Sequence, residues 1–556
     1  MKRLLPFLIS CGTCFLSGAQ TSSLTRVNDP VIISGADLSF FSVINPDQIV
    51  GFKYVSGTWS QIPVQVDERA LLDIVTPYGA LAGTGVGYLP PAPSPNNPKI
   101  YFYCDAATNI GVDPVATFDS DDELVFMAKD AGGMYTGTNY PAGVVQGSCQ
   151  QVAIYDTMSV DTGYIYLFKN LGLLQQNAGV NYITYTSNLS TTTGFPANNN
   201  VTNAENTTIT TSKYAWHFMS EWVSDELKLL AGNGVDILDR HKAFFANGSI
   251  GCGRHEELFS SGENAFIVCK AGPVRVIRSY MGAQSGPLTQ RTHFFYDGRH
   301  DLITNLRVHY IPSIYDAFDY NPAANGMIYR NSLNTSGVTI DGTTDVVAAG
   351  SPQWEQVSGT PGTLSIINRI TTDLTSATAT FTGYYDDNST TPASNCTGTQ
   401  GAWGTSGLGI QFASNICTDC YGNSNFRSLQ LQKTVYADAP NLPATTASNY
   451  SKQIDKPFKI VTSACQATTP TGISTNNSLL ENSTLFPNPS NGKISIQGLE
   501  AGTSLQISIF NLYGQLVDTI TLNENQTSFI IHEAGIYEVL MVTEKGIKTQ
   551  KVLVVK

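Results

Sequence analysis

Apolar and polar residues alternate with a period of two along most of the chain. The stretches 32–34, 48–54, 61–67, 99–103, 123–127, 151–155, 164–168 and 182–186 alternate or carry β-branched and aromatic residues between Gly, Pro, Asn or Asp clusters. That is the pattern of half-buried strands. Residues 274–280, 290–296 and 301–310 repeat it around Asp297-Gly298, a dipeptide that favours a two-residue hairpin turn. If pairing of Tyr296 with Arg299 extends that turn, His293 lies opposite Leu302 and Arg291 opposite Thr304. Arg291 and His293 then share a face with Leu302, Leu306 and Val308, while Asn305, Arg307 and His309 take the other; a slip of one residue exchanges the faces. Helical signals are few: Ser224-Asp225-Glu226-Leu227 can cap one short helix, although 216–224 also alternates like a strand. No repeat of solenoid or propeller length occurs. The expected fold is all-β, with a large two-part β-sandwich-type region followed by a small C-terminal β-sandwich.

The two ends of the chain read as targeting elements. Lys2 and Arg3, an apolar stretch over 4–10 and 14–16, and the small residues Ser17-Gly18-Ala19 form a signal peptide over 1–19. A lipoprotein reading centred on Cys11 competes with it, but the apolar run before Cys11 is short. No run approaches the roughly 18–20 apolar residues of a membrane-spanning helix. Residues 466–484 have little apolar content and no alternation, so they read as a linker between a body and a terminal domain. The body divides at the polar stretch 188–211, giving subdomains 20–190 and 191–465.

In the terminal domain, 485–556, Leu505, Ile507 and Ile509 alternate with Gln506, Ser508 and Phe510, and further strands fit 528–531, 536–542 and 547–555. It carries Leu485-Phe486-Pro487-Asn488-Pro489-Ser490-Asn491-Gly492, then Ile509-Phe510-Asn511-Leu512-Tyr513-Gly514-Gln515, then Ala534-Gly535-Ile536-Tyr537 and a Lys-containing last strand. These motifs resemble, in order and spacing, the type A sorting domain of the Bacteroidetes type IX secretion system. The resemblance implies passage through Sec and then the type IX machinery, and delivery to the medium or the outer cell surface. It makes Pro487, Asn488, Pro489, Gly492, Gly514, Gly535 and Tyr537 the sorting motif. Each also has a structural reading: the prolines stop strand pairing, the glycines serve turns, and Tyr537 fills the core.

Charge narrows the function. The net charge of −13 argues against a nucleic-acid partner, which needs a basic field. Charged residues make up 13% of the chain, low for a soluble protein, and the polar remainder is mostly Ser, Thr, Asn and Gly, which suits strands and turns. Without Cys11 and Cys14, eight cysteines remain; in an exported chain they read as disulfides, with Cys104 expected to pair with Cys149 and Cys252 with Cys269.

No G-x-S-x-G elbow, H-E-x-x-H, P-loop or dinucleotide fingerprint occurs, which leaves chemistries that gather residues from separate strands, such as glycoside hydrolysis or polysaccharide β-elimination. Six of the seven histidines lie between 217 and 309. Arg291 and Arg307 can neutralise a uronate carboxylate, and His293, His309 or Tyr296 can remove the acidified proton, making these five the candidate catalytic set. Tyr315, Asp319, Tyr320 and Arg330 offer stacking and hydroxyl contacts for a polysaccharide ligand. Asp119, Asp121, Asp122 and Glu123 set hard oxygens close together and are candidate calcium ligands, with a solvated acidic turn as the plainer reading. The order of 61–69 and then 119–126 loosely resembles N-terminal β domains of exo-acting rhamnogalacturonan lyases and of uncharacterised Bacteroidetes proteins. The expected cargo is a carbohydrate-active enzyme, lyase-like or glycosidase-like; the alternative is a non-enzymatic surface protein that binds glycan or adheres.

Overall fold

The computed structural model describes residues 21–87, 89–135, 137, 139–187, 206–219, 223–245, 265–282, 289–305, 313–375, 379–390, 401–413, 429–465, 483–498, 504–511, 516–523, 526–543 and 546–555. The expected signal peptide over 1–19, Cys252, Arg307, His309, Gly514 and nearly all of the expected linker lie outside them. The chain divides into two compact units, one closing at Cys465 and one opening at Gln466. Both are built from antiparallel sheets.

The first unit begins with two facing sheets. Pro30–Ser34, Glu123–Met127 and Gln65–Asp67 form a three-stranded sheet. A five-stranded sheet runs Lys459–Ala464, Gln150–Tyr155, Thr162–Lys169, Ile49–Val55, Thr58–Ile62. Ile33, Phe41, Ile49, Val64, Phe126, Ile154 and Leu167 fill the space between. The single strand expected at 61–67 is two strands in different sheets, because Pro63 has no N–H to carry a ladder onward.

Further along, a nine-stranded sheet runs Ala265–Ala271, Val276–Met281, Gln290–Phe295, Arg299–Asn305, Leu429–Asp438, Gly362–Thr372, Glu355–Gly359, Ile328–Asn331, Asn334–Thr339. Two four-stranded sheets share one hydrophobic core with it. One runs Ile183–Ser187, Thr207–Thr211, Tyr214–Met219, Val223–Leu229; the other runs Leu238–Phe245, Ser313–Tyr320, Ala402–Phe412, Ala379–Asn388. Trp216, Phe295, Phe318, Tyr329, Val357 and Val435 meet in that core. Residues 223–229, where a helix competed with a strand, are a strand, because alternate Leu227 and Leu229 are buried in the core. The helix Ala444–Asp455, which the apolar pattern does not announce, covers Trp354, Ile367 and Tyr436 with Ala447.

The hairpin about Asp297-Gly298 has the expected register: His293 pairs with Leu302, Arg291 with Thr304, and the Tyr296 N–H donates to the Arg299 carbonyl at 2.8 Å. The body does not divide simply at 190. Its last strand, Lys459–Ala464, belongs with the first residues of the chain, pairing with Gln150–Tyr155. Beside that strand Cys149 is bonded to Cys465, with Cα atoms 5.3 Å apart. The expected Cys104–Cys149 bridge is therefore absent, and Cys104 is a buried thiol, which burial pushes up to about 12. Local pairing failed as a guide because Cys465, just past the strand that completes the five-stranded sheet, lies 316 residues after Cys149.

The second unit is a small sandwich. Thr484–Phe486, Lys493–Gln497 and Ser528–Ile530 form one sheet; Leu516–Leu522, Leu505–Asn511, Gly535–Thr543 and Gly546–Val554 form the other. Ile494, Ile507, Ile509, Phe529, Val539 and Val552 fill it, as the alternation of 505–510 requires. Tyr537 joins this core and its hydroxyl donates to the Glu533 carbonyl at 3.1 Å. Gly492 has φ +108°, and a Cβ there would sit 2.8 Å from the Ile531 carbonyl oxygen, so the turn accepts only glycine without strain.

Cross-linking residues 149 and 465 removes loop-closure entropy from the unfolded chain. Cys149→Ser and Cys465→Ser are each expected to lower stability by about 2–4 kcal/mol. Denaturant unfolding checks this, and a reducing agent should lower the stability of the wild type by at least as much.

Candidate functional site

Along the central strands of the nine-stranded sheet, charged and polar residues occupy positions with apolar neighbours two residues away. Arg278 lies between Val276 and Tyr280, His293 before Phe295, Lys433 between Leu431 and Val435, Asn368 between Ile366 and Ile370. The ladders pair Arg278 with His293, His293 with Leu302, Leu302 with Lys433, and Lys433 with Asn368. One register row thus carries a polar stripe across the inner face, with Arg291, Thr304 and His300 in the flanking rows. The facing four-stranded sheet supplies His241 and Asp316. All these groups are buried except Asn368, which is half-buried.

Asp316 is the hub. It meets His241 Nε2 at 2.9 Å, Arg291 at 3.3 Å, and the Lys433 ammonium, which also donates to the Asp316 carbonyl at 3.3 Å. Burial would push its carboxyl up, but Lys433, His241 and Arg291 outweigh that and hold it well below the usual carboxylate range. His293 Nδ1 and His300 Nε2 are 3.1 Å apart with rings nearly parallel, and His300 stacks on Phe295 at 4.1 Å. Burial, and then the cations and histidines around them, drive both imidazoles well below 6.5, so they are neutral. Arg278 lies over the Phe218 ring at 4.1 Å. At the far end of the stripe Glu355 accepts from Asn368 at 2.8 Å and from Tyr329 at 3.1 Å, and burial still pushes its carboxyl up to about 7.

A small pocket opens beside Asp316, lined by Thr304, Asn368, Lys433, Leu302 and Leu408 among others. It has room for about one water molecule rather than for a sugar ring. It lies near the end of the sandwich where Met281, Gln290, Asn305, Thr372 and Leu429 come together on one sheet. On the other sheet Phe245, Ser313, Ala379 and Phe412 mark the same end.

The expected site residues are distributed as follows. Arg291 and His293 are together on the inner face, but Tyr296 points to the opposite face, where its hydroxyl lies 3.4 Å from Arg275. Period-two alternation separates 293 from 296, so these three do not form one site. Tyr320 is in the apolar core and Arg330 is half-buried. Tyr315 and Asp319 alternate with Asp316 and Tyr320, which puts them on the outer face of their sheet. There Asp319 bonds Lys242 at 2.9 Å and accepts from Thr405, and burial pushes its carboxyl up to about 7.

The acidic run is assigned to other partners than calcium. Asp122 accepts the backbone N–H of Asp119 at 3.0 Å and of Arg69 at 3.2 Å, and Asp119 accepts that of Asp121 at 3.0 Å. Glu123 meets Arg69 at 2.7 Å and Arg275 at 2.6 Å. Burial and then the neighbouring acids push Asp121 up to about 6, and burial above all pushes Asp122 to about 7. Among the described residues no group of three or more His, Cys, Asp or Glu can hold a metal ion.

Residues 484–556 match the family model described as a secretion system C-terminal sorting domain. The protein is therefore cargo of the type IX secretion machinery, exported to the cell surface or the extracellular space. Its body has distant likenesses among solved structures. Heparan sulfate lyase HepC from Pedobacter heparinus is 7% identical with a TM-score of 0.24, over 69% of this chain and 43% of that one. A heparinase III gene product is 5% identical with a TM-score of 0.22, over 67% and 41%. A putative aldose 1-epimerase from Escherichia coli is 9% identical with a TM-score of 0.19, over 41% and 97%. The chain spans less than half the length of those two lyases. No curated protein matches the chain. Among the described residues no helix is long and apolar enough to cross a membrane.

Glu355 offers a test of the buried stripe. Its folded value of about 7 exceeds the ordinary 4.5, so its contribution is fully present below about pH 4.5 and is lost as pH rises through 7. Glu355→Gln does not titrate. Its stability relative to wild type is expected to rise by up to about 3 kcal/mol between about pH 4.5 and pH 8. Denaturant unfolding at both pH values checks this; a pH-independent difference contradicts it.

Proposed function

We propose that the cargo, delivered through Sec by the 1–19 signal and then by the type IX machinery, acts on an acidic polysaccharide at the end of the sandwich beside Asp316. One observation carries this reading: the pocket there is lined by Asp316, Lys433 and Thr304 and adjoins Arg291 and the neutral His293–His300 pair. Buried charges are expensive unless paired, and clusters that shift each other's protonation are a common property of reactive sites. A neutral imidazole offers a lone pair to the α-proton of a uronate, at the lowered basicity that burial and the neighbouring cations impose, and Lys433 and Arg291 can lower the pKa of that proton. Two of the residues named for catalysis, Arg307 and His309, lie outside the described residues.

The narrowness of the pocket favours a second reading, in which the cargo binds glycan without turnover and the stripe is structural. The full mature chain is incubated with plant, algal and host polysaccharides, following ultraviolet absorbance of unsaturated uronates and reducing ends in parallel. The expected result is an absorbance rise on at least one uronate polymer, reduced by about 100-fold or more in His293→Gln at unchanged melting temperature. Reducing ends without absorbance would point to hydrolysis instead. Silence in both channels, or full turnover by His293→Gln, contradicts the proposal.

A further inference from the structure

The terminal strand Gly546–Val554 pairs on one side with Gly535–Thr543, and its other side is the edge of the sheet. The backbone groups on that side are nevertheless occupied. Ser490 accepts from the Val555 N–H and donates to the Leu553 carbonyl, both at 2.8 Å, as a strand residue would. Two residues earlier, at Asn488 between Pro487 and Pro489, the corresponding bonds are made by a side chain. The Asn488 side chain takes over: its Nδ2 donates to the Lys551 carbonyl at 2.8 Å and its Oδ1 accepts the Leu553 N–H at 2.9 Å. A primary amide carries one acceptor and its donors in the geometry of a peptide group, so Asn488 imitates the missing strand residue. Gln550 repeats the device in reverse, accepting from the Leu485 N–H at 2.9 Å and donating to the Leu485 carbonyl at 3.1 Å.

We propose that Asn488 is a positioning residue for export: its side-chain amide closes the edge of the terminal strand, and the secretion machinery accepts the domain only with that edge closed. The Pro-Asn-Pro motif then acts through the last strand. The prolines keep the covering segment from pairing further, and the amide between them satisfies the groups that this leaves open. An unclosed edge is also a template for pairing with other chains.

The test compares wild type, Asn488→Asp and Asn488→Ala as full chains. Amide exchange at Leu553 and Val555 is read on purified protein, and release is read from a host carrying a type IX apparatus. Asp keeps the acceptor for Leu553 and loses the donor to Lys551; Ala loses both. Exchange is expected to quicken in the order wild type, Asp, Ala, by about tenfold or more for Ala, with Ile507 and Val539 still protected. Secretion should fall in the same order. If Ala unprotects Ile507 and Val539 as well, the Asp variant decides, with intermediate exchange matched by intermediate secretion. Secretion lost while Leu553 stays protected means that Asn488 touches the machinery directly and overturns the proposal. Faster exchange with undiminished secretion overturns it as well.

Discussion

A carboxylate buried between two sheets has to be compensated from both sides, and the central part of the cargo is arranged around that requirement at Asp316. Its partners come from three places distant in sequence: His241 on a neighbouring strand, Arg291 in the hairpin, and Lys433 far downstream. Removing one partner of such a cluster leaves a buried charge uncompensated, at a cost of about 3–5 kcal/mol. Because a slip of one residue would turn each of these groups to the opposite face, the cluster also discriminates against wrong strand registers. The neutral histidines beside it follow from burial first and then from the same field, because cations close to a buried imidazole make its protonation unfavourable.

A second buried pair joins the first part of the unit to the nine-stranded sheet. Asp67 is fully buried and meets Arg275 at 2.8 Å, while Gln65 accepts the backbone N–H groups of Val274 and Arg275 at 3.1 and 2.9 Å. A Cβ on Gly272 would lie 2.1 Å from the Gln65 side-chain oxygen, so any larger residue there would push the Gln65 amide out of its place. Arg275 also holds Glu123, which ties the last residue of the acidic run to this joint. The unit is completed only when Lys459–Ala464 returns to the first sheet and Cys465 reaches Cys149. The sorting sandwich begins shortly afterwards and has a core of its own.

Much of this was legible in the sequence. The strands of the first part, the hairpin register and the terminal sandwich follow from period-two patterning, and the sorting motif identifies the route of export. The stripe left a signal of its own: in 429–437 the alternate residues are Leu429, Leu431, Lys433, Val435 and Ala437, and Lys433 is the charge on an apolar face. The same phase marks Asp316 between Ile314 and Phe318, and Asn368 between Ile366 and Ile370. Reading phase in this way would have removed Tyr296 from the catalytic set and brought in Lys433 and Asp316. Pairings across hundreds of residues had no local signal, which is why Cys149 was assigned to Cys104, and why the helix over Trp354, with few apolar residues of its own, went unnoticed.

The central claim is that burial, and then the histidines and cations gathered around one ionised carboxylate, keep the His293–His300 pair uncharged. Nitrogen-15 NMR of the imidazole rings, followed as pH is lowered, tests it directly. The account predicts that both rings stay neutral well below the ordinary histidine value of 6.5 while the protein remains folded. Protonation of either ring near 6.5 in the folded protein would contradict it.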